Sequence, residues 1–221
     1  PLLALVPTVI IAHTVLGPIG WTIGQWVSEV VYAGLTGDFR WLFGLFFGTL
    51  YSPLVITGLH HMSNAIDLQL IADFGGTNLW PMIALSNIAQ GSAVLAIIFL
   101  HRGNEKEEQV SIPAAISCYL GVTEPAMFGI NIKYIYPFVA AMIGSGIAGL
   151  VATTFNVMAN SIGVGGIPGF LSIQTDSMAM FIVCMAIAIV VPFLLTVLFE
   201  KKQLFAPKGE VEDAPVIQTQ K

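Results

Sequence analysis

Long apolar runs separated by short polar segments dominate the chain. Runs of bilayer length cover residues 2–35, 41–59, 79–100, 134–175 and 177–199. A helix that crosses a bilayer needs roughly 20 mostly apolar residues. The pattern therefore predicts an all-α integral membrane protein with about five transmembrane helices. Because the first run exceeds one crossing, we expect residues 1–40 to form a long tilted helix and a connecting or interfacial segment.

Two segments are too polar or too broken to cross lipid as simple helices. Residues 60–78 include Asp67 and Asp73, and residues 111–132 are interrupted by Pro113, Gly121, Pro125 and Gly129. Irregular backbone at membrane depth is tolerated only where protein or water covers it. We therefore predict two re-entrant hairpins of opposite orientation, near 58–78 and 111–132, within a substrate-binding membrane domain of residues 41–200.

The charges support this topology. The chain is 56% hydrophobic and only 10% charged, far below the roughly 25% charge of a soluble domain. If both hairpins turn back, the loop cations all fall on one side, namely Arg40, Arg102, Lys106, Lys133, Lys201 and Lys202. The opposite loops, 60–78 and 158–176, hold no Lys or Arg. Since cytoplasmic loops carry the excess of cations, we expect that side and the polar tail 201–221 to be cytoplasmic.

One carboxylate stands out in the second hairpin. Glu124 is the only ionised side chain between Ser111 and Ile132. An acid at the centre of a membrane helix costs roughly 2.5–3.5 kcal/mol, and such residues are usually functional. The alternative is an interior acid satisfied by backbone amides. We interpret Glu124 as a candidate binding or catalytic residue.

The first hairpin holds a second polar cluster. His60 and His61 are adjacent and do not share a face of a helix or strand, which argues against a joint metal site. One of them is a candidate to face a substrate, although a helix cap is the other interpretation. Asp67 is either a cap, a solvated loop residue or a ligand. Asn87 and Gln90 lie in the run 79–100 and either line a cavity or bond between helices.

Other kinds of site have little support. Cys118 and Cys184 lie in apolar runs and are expected to be small buried hydrophobes. The glycine-rich segment 163–169 lacks the Lys and Ser or Thr of a phosphate-binding loop. There is no basic patch for nucleic acid, and we predict no metal and no cofactor.

Two motifs carry a resemblance to a known family. Residues 56–61 read Ile-Thr-Gly-Leu-His-His, and residues 121–125 read Gly-Val-Thr-Glu-Pro. Together they resemble the membrane subunit, enzyme IIC, of the bacterial phosphoenolpyruvate-dependent sugar phosphotransferase system. Within its glucose–glucoside group, the chain is most similar to trehalose-specific permeases, up to about residue 205.

The resemblance implies a site and a reaction. Glu124 would be the main sugar ligand, near the hydroxyl that receives phosphate, and His60 or His61 would be the second ligand. Thr123 and Asp67 complete the predicted substrate-binding set. The sugar, a disaccharide and most simply trehalose, would be carried across the plasma membrane and phosphorylated by a phosphocysteine on a separate IIB domain, which IIA supplies.

The resemblance also implies what lies outside this sequence. Enzyme IIC has an N-terminal dimerising half, and the chain resembles mainly the substrate-binding half. We expect it to be part of a longer, homodimeric polypeptide, multi-pass in the membrane and in contact with lipid, and to be inactive alone. The residues by themselves leave two alternatives open, a proton-coupled secondary sugar transporter that uses Glu124 and a channel or structural scaffold.

Overall fold

The described part of the chain is mostly helical. A computed structural model describes residues 8, 9, 14 and 17–205. Its helices are α1 (Gly17–Thr36), α2 (Arg40–Ile56), α3 (His61–Phe74), α4 (Leu79–Leu100), α5 (Glu105–Tyr119), α6 (Glu124–Ala126), a π-helical turn (Met127–Asn131), α7 (Ile132–Tyr134), α8 (Tyr136–Thr154), 3₁₀ turns (Ile167–Ser172 and Thr175–Ser177) and α9 (Met178–Lys201). Within these residues, β structure is limited to isolated bridges that join Ala159 to Thr77 and Ile173.

Among the described residues, three segments are long and apolar enough to cross a membrane. They are Leu79–Leu100, Tyr136–Thr154 and Thr175–Lys201. A fourth is added if Glu29–Thr36 and Arg40–Ile56, bent by 120° at a short break, count as one broken span. The predicted all-α membrane fold is therefore confirmed, whereas the predicted count of about five is not. The predicted long helix of residues 1–40 is described from Gly17 as α1, and most of its earlier part lies outside the described residues.

α4 is the central helix of the bundle. Its sequence is mostly apolar all round, which is typical of a buried helix, and its side chains from Leu79 to Val94 are buried. α8 is antiparallel to it, because Asn78 before α4 bonds to the Val157 carbonyl after α8 at 3.0 Å. α9 is parallel to it, because His101 after α4 lies 3.8 Å from Glu200 near the end of α9. We call these the Asn78 end and the His101 end.

The first hairpin consists of α2 and α3, which corrects the predicted crossing of residues 41–59. α2 starts at the Asn78 end, where Gly44 packs against Gly149 and Thr153 in the last turns of α8. α3 returns to the same end. Its last residue, Phe74, stacks at 3.5 Å on Tyr32 of α1, and α1 ends shortly before α2 begins. The chain therefore turns back between α2 and α3 and does not reach the His101 end there.

This hairpin also corrects the predicted side of one cation. Arg40 begins α2 and lies at the Asn78 end. The other described loop cations lie at the His101 end, where α4 and α9 end and the second hairpin begins and ends. They are Arg102, Lys106, Lys133, Lys201 and Lys202. The prediction that Arg40 lies with them depended on residues 41–59 being a full crossing.

The second hairpin turns back as the glycine and proline pattern predicted, with slightly wider bounds. α5 enters from the His101 end, and the helical segment from Glu124 to Tyr134 returns to it. The hairpin is closed at its base, where the Tyr134 hydroxyl donates to Glu107 at 2.5 Å. Glu107 in turn bonds to His101 at 2.8 Å, which ties the base to the end of α4.

Candidate functional site

The tips of the two hairpins meet between the Asn78 end and the His101 end of the bundle. The first tip is the turn between α2 and α3, and the second is the turn between α5 and α6. Across them, the His60 Nε2 lies 3.9 Å from the Glu124 Oε1. The side chain of His60 is 16% exposed and that of Glu124 is 47% exposed, so the carboxylate is accessible to a ligand. Two residues that are 64 positions apart in the sequence thus form one polar site.

Local bonds shape the second tip. Gly121 has φ +98°, a backbone conformation that glycine adopts without strain. Ser117 closes the turn twice, since its hydroxyl donates to the Val122 carbonyl at 3.0 Å and its carbonyl accepts from the Val122 amide at 2.9 Å. Glu124 then begins the short helix α6, and Pro125 follows it, a position where the missing N–H of proline costs little. The tip therefore presents Glu124 at a fixed point of the chain.

The first tip presents His60 rather than His61 to Glu124. Gly58 has φ +76° and follows Thr57, the C-cap of α2. The His60 carbonyl accepts from the Ser63 hydroxyl at 2.5 Å, which holds the start of α3. The His60 ring lies edge-on to the Tyr51 ring, with 6.4 Å between the ring centres. The exposed His61 ring lies 4.0 Å from the His60 ring.

A buried chain of polar side chains connects both hairpins through α4. The Gln90 amide donates to Ser52 of the first hairpin at 2.7 Å. The Asn131 amide of the second hairpin donates to the Gln90 side-chain oxygen at 2.5 Å. All three side chains are fully buried. Of the two interpretations that the sequence left open for Gln90, the structure shows helix–helix hydrogen bonding.

The long connection between α8 and α9 covers the second tip. Gly165 packs against Gly121, and Gly166 packs against the carbonyls of Cys118 and Tyr119. On the other side, the Asn87 amide of α4 donates to the Gly121 carbonyl at 3.3 Å. The turn before Glu124 is thus held between α4 and this connection.

Asp67 and Thr123 lie apart from the exposed face of the site. Asp67 is fully buried and accepts from the Thr77 hydroxyl at 2.6 Å, and Thr77 in turn accepts from the Leu79 amide at the start of α4. Thr123 directly precedes Glu124, but only 5% of it is exposed. The structure therefore brings His60 and Glu124 together, keeps His61 and Thr123 beside them, and places Asp67 at the start of α4.

Two surface clefts of about 390 and 430 Å³ lie away from the hairpin tips. One follows α5 from Glu105 to Pro113, and the other lies where α1 meets α2, from Ala33 to Phe46. The His60–Glu124 pair faces an open surface of this chain instead. Its chemistry, a carboxylate beside an imidazole, matches the donor and acceptor character of sugar hydroxyls.

Comparison with known proteins decides the family. A family model described as "Phosphotransferase system, EIIC" matches residues 1–145, about two thirds of the chain, and this part includes both hairpin tips. The chain belongs to the phosphotransferase system EIIC family.

The chain is similar to several named EIIBC components. The chain is 54% identical over 196 residues to the PTS system trehalose-specific EIIBC component of Escherichia coli (strain K12), covering 89% of the chain and 41% of the relative. It is 49% identical to the Bacillus subtilis (strain 168) protein of the same name, covering 81% and 38%. It is 45% identical to the PTS system sucrose-specific EIIBC component of Pasteurella multocida (strain Pm70), covering 91% and 43%. No solved structure matches the chain.

The chain spans about two fifths of the length of these relatives. Its two cysteines, Cys118 and Cys184, are free and fully buried, as the sequence predicted. A phosphate carrier needs an accessible thiolate, so neither thiol has the surroundings of a phosphocysteine.

Three residues that contribute to the site of this EIIC chain were not predicted from its sequence. Tyr51 and Ser52 are adjacent polar residues in a mostly apolar run, which is a weak signal of contact with another polar group. Gly165 gave no signal beyond its place in a glycine-rich segment, because its role depends on a turn more than 40 residues earlier.

Proposed function

We propose that this chain is the sugar-binding and translocating part of a phosphotransferase-system permease. The observation that carries the proposal is the approach of His60 and Glu124 at the tips of two hairpins that enter from opposite ends of the bundle. Transporter sites typically lie where such broken segments meet near the middle of the membrane. The site would then be reached from either end by small movements of the tips.

The spacing of the pair suits a hydroxyl group. At 3.9 Å, the His60 nitrogen and the Glu124 oxygen are too far apart for a direct hydrogen bond. A hydroxyl oxygen placed about 2.8 Å from both atoms would donate to the carboxylate and accept from the imidazole. Glu124 would also take the proton of the hydroxyl when its oxygen attacks the phosphoryl group.

The phosphoryl group would come from a partner domain. We propose a IIB phosphocysteine, charged by IIA, as the donor, because phosphoryl transfer needs an in-line approach to the bound hydroxyl and both thiols of this chain are buried. The chain alone would bind sugar without phosphorylating it. In the full protein it would work with the dimerising half of EIIC, as a homodimer in lipid.

The distribution of Lys and Arg supports one orientation in the membrane. We propose that the His101 end faces the cytoplasm, because Arg102, Lys106, Lys133 and Lys201 belong to that end and Arg40 is at the other. An excess of Lys and Arg marks the cytoplasmic side. The second hairpin, which carries Glu124, would then enter from the side where a phosphocarrier domain approaches, and the chain would leave the membrane at the cytoplasmic face.

The substrate we propose is trehalose, since the relatives at 54% and 49% identity are named as trehalose-specific. Sucrose is the main competitor, because sucrose-specific relatives follow at 45% and 46% identity. Equilibrium binding of trehalose, sucrose, maltose and glucose to the complete permease would separate them. Tighter binding of sucrose than of trehalose would overturn the assignment of the sugar and leave the site intact.

Glu124→Gln in the complete permease tests the site. We expect sugar affinity to fall about 10- to 100-fold, the effect of weakening a hydrogen bond to a charged group, and phosphorylation to fall further. Glu105→Gln is the matched control, since Glu105 is an exposed acid at the base of the same hairpin. Wild-type binding and phosphorylation by the Glu124 variant would exclude this site, and uptake that needs a proton gradient but no phosphoenolpyruvate would exclude the phosphotransferase.

The two histidines supply a second, internal test. We expect His60→Ala to weaken sugar binding about 10-fold or more and His61→Ala to weaken it less, because His60 is the one that approaches Glu124. The reverse order would show that His61 is the ligand.

A further inference from the structure

The connection between α8 and α9 is anchored at one end of the bundle and reaches toward its middle. At the Asn78 end, Thr77 and Ala159 exchange backbone hydrogen bonds of 2.9 and 2.8 Å. The beginning and the end of the connection are joined to each other there, since the Asn160 amide donates to the Ser172 carbonyl at 2.8 Å and the Gln174 amide donates to the Met158 carbonyl at 2.9 Å. From this base, the intervening residues extend as a loop.

The far end of this loop meets the turn that carries Glu124. A Cβ added at Gly121 would lie 2.7 Å from the Gly165 nitrogen, and one added at Gly166 would overlap the Tyr119 carbonyl. The two backbones are thus in direct contact, with no side chain between them. Gly121 and Gly166 also have positive φ values of 98° and 67°, so both turns need glycine for their shape as well as for their closeness.

Asn87 makes the contact three-sided. Its amide bonds to the Gly121 carbonyl at 3.3 Å, and a Cβ added at Gly165 would overlap that same amide. A methyl group at Gly165 would therefore push the Asn87 amide away from the Gly121 carbonyl. The loop, the turn and α4 therefore pack together around Gly121, which precedes Glu124 by three residues.

We propose that Gly165 and Gly166, at the tip of the α8–α9 loop, are positioning residues for Glu124. They fix the height and direction of the second hairpin tip, so that the carboxylate stands opposite His60. They contact no sugar themselves. The inference rests on the proposed function of Glu124 as the sugar ligand, and it assigns a role to a segment that lies beyond the family match at residues 1–145.

The test is a double-mutant cycle on sugar binding by the complete permease, with trehalose as the probe. Gly165→Ala is combined with Glu124→Gln, which retains an oxygen acceptor and keeps binding measurable. Asn87→Ala is the second route to the same contact, since it removes the bond to Gly121 without adding bulk. Gly129→Ala is the matched control, because its added Cβ would meet only the Val110 side chain at an ordinary 3.4 Å.

We expect Gly165→Ala and Asn87→Ala each to weaken trehalose binding roughly 3- to 10-fold, the effect of one lost hydrogen bond, and Gly129→Ala to change it by less than about twofold. In the Glu124→Gln background, the effect of Gly165→Ala should shrink to less than about twofold, because the weaker hydrogen bond of the amide leaves less binding energy for a misplaced tip to remove. A purely structural role would give the same factor in both backgrounds.

The outcomes separate this inference from the proposed function. If Glu124→Gln weakens binding and Gly165→Ala does not, or if the two effects multiply, the positioning role is overturned and the sugar site stands. If Glu124→Gln binds trehalose like the wild type, the proposed function fails and this inference fails with it. If Gly165→Ala does not fold, Asn87→Ala in the two backgrounds decides the question by the same criterion.

Discussion

Gln90 provides the sharpest test of how the hairpins are held. It joins Ser52 of the first hairpin and Asn131 of the second through bonds of 2.7 and 2.5 Å, and it is fully buried. We choose Gln90→Met because methionine has nearly the same length and leaves little cavity. The substitution removes the two side-chain bonds and leaves the packing largely as it was.

The expected loss of stability depends on which hydrogen-bond partners Ser52 and Asn131 retain in the variant. Ser52 keeps a neighbour in Ser86 at 3.3 Å, and the Asn131 amide keeps the Gln90 backbone carbonyl at 3.2 Å. Each lost bond contributes about 0.5–1.5 kcal/mol net in soluble proteins and on average about 0.6 kcal/mol between membrane helices. We therefore expect the free energy of unfolding to fall by about 1–3 kcal/mol.

Unfolding of the complete permease by a denaturing detergent, titrated into mild micelles, measures this change. Leu95→Met on the same helix is the control, since Leu95 is partly exposed at 37%, and it should cost less than about 0.5 kcal/mol. The double variant Gln90→Met with Asn131→Leu removes both polar partners and should cost less than the sum of the single variants by at least about 0.5 kcal/mol. Additive costs would refute the claim that these side chains form one connected network.

Three further predictions concern packing, the start of α4 and topology. Gly48→Ala should destabilise the bundle by about 1–3 kcal/mol in the same unfolding assay, because the added Cβ would lie 2.5 Å from a backbone carbonyl of α8; an unchanged stability would show that α2 and α8 are further apart. Asp67→Ala should lower stability by about 1–2 kcal/mol through loss of the Thr77 bond, while sugar affinity of the folded protein stays within about twofold; a large loss of affinity at normal stability would make Asp67 a ligand. Cysteines introduced at Arg40 and Arg102 should react with an impermeant thiol reagent from opposite sides of the membrane, whereas labelling from one side would restore residues 41–59 as a full crossing.

Several features depend on local sequence and were predictable. The lengths of the apolar runs predicted an all-α membrane protein, because the thickness of the bilayer fixes the length of a crossing helix. Glycine and proline near residue 121 predicted that the second hairpin breaks and turns back, since both act on the backbone where they stand. Glu124 was singled out because an isolated acid at membrane depth is costly wherever it is placed.

Other features depend on which segments become neighbours in the fold, and local sequence patterns do not predict them. An apolar helix such as α2 has the same composition whether it crosses lipid or descends along α8 and turns back, so its path was mispredicted. Likewise, only the packing of the two tips shows that His60 rather than His61 approaches Glu124. Asp67 and Gln90 are polar residues whose partners, Thr77 and Asn131, are set by how the helices pack. Composition and periodicity report each segment's surroundings only on average, whereas a binding site depends on contacts between particular atoms that the tertiary fold brings together.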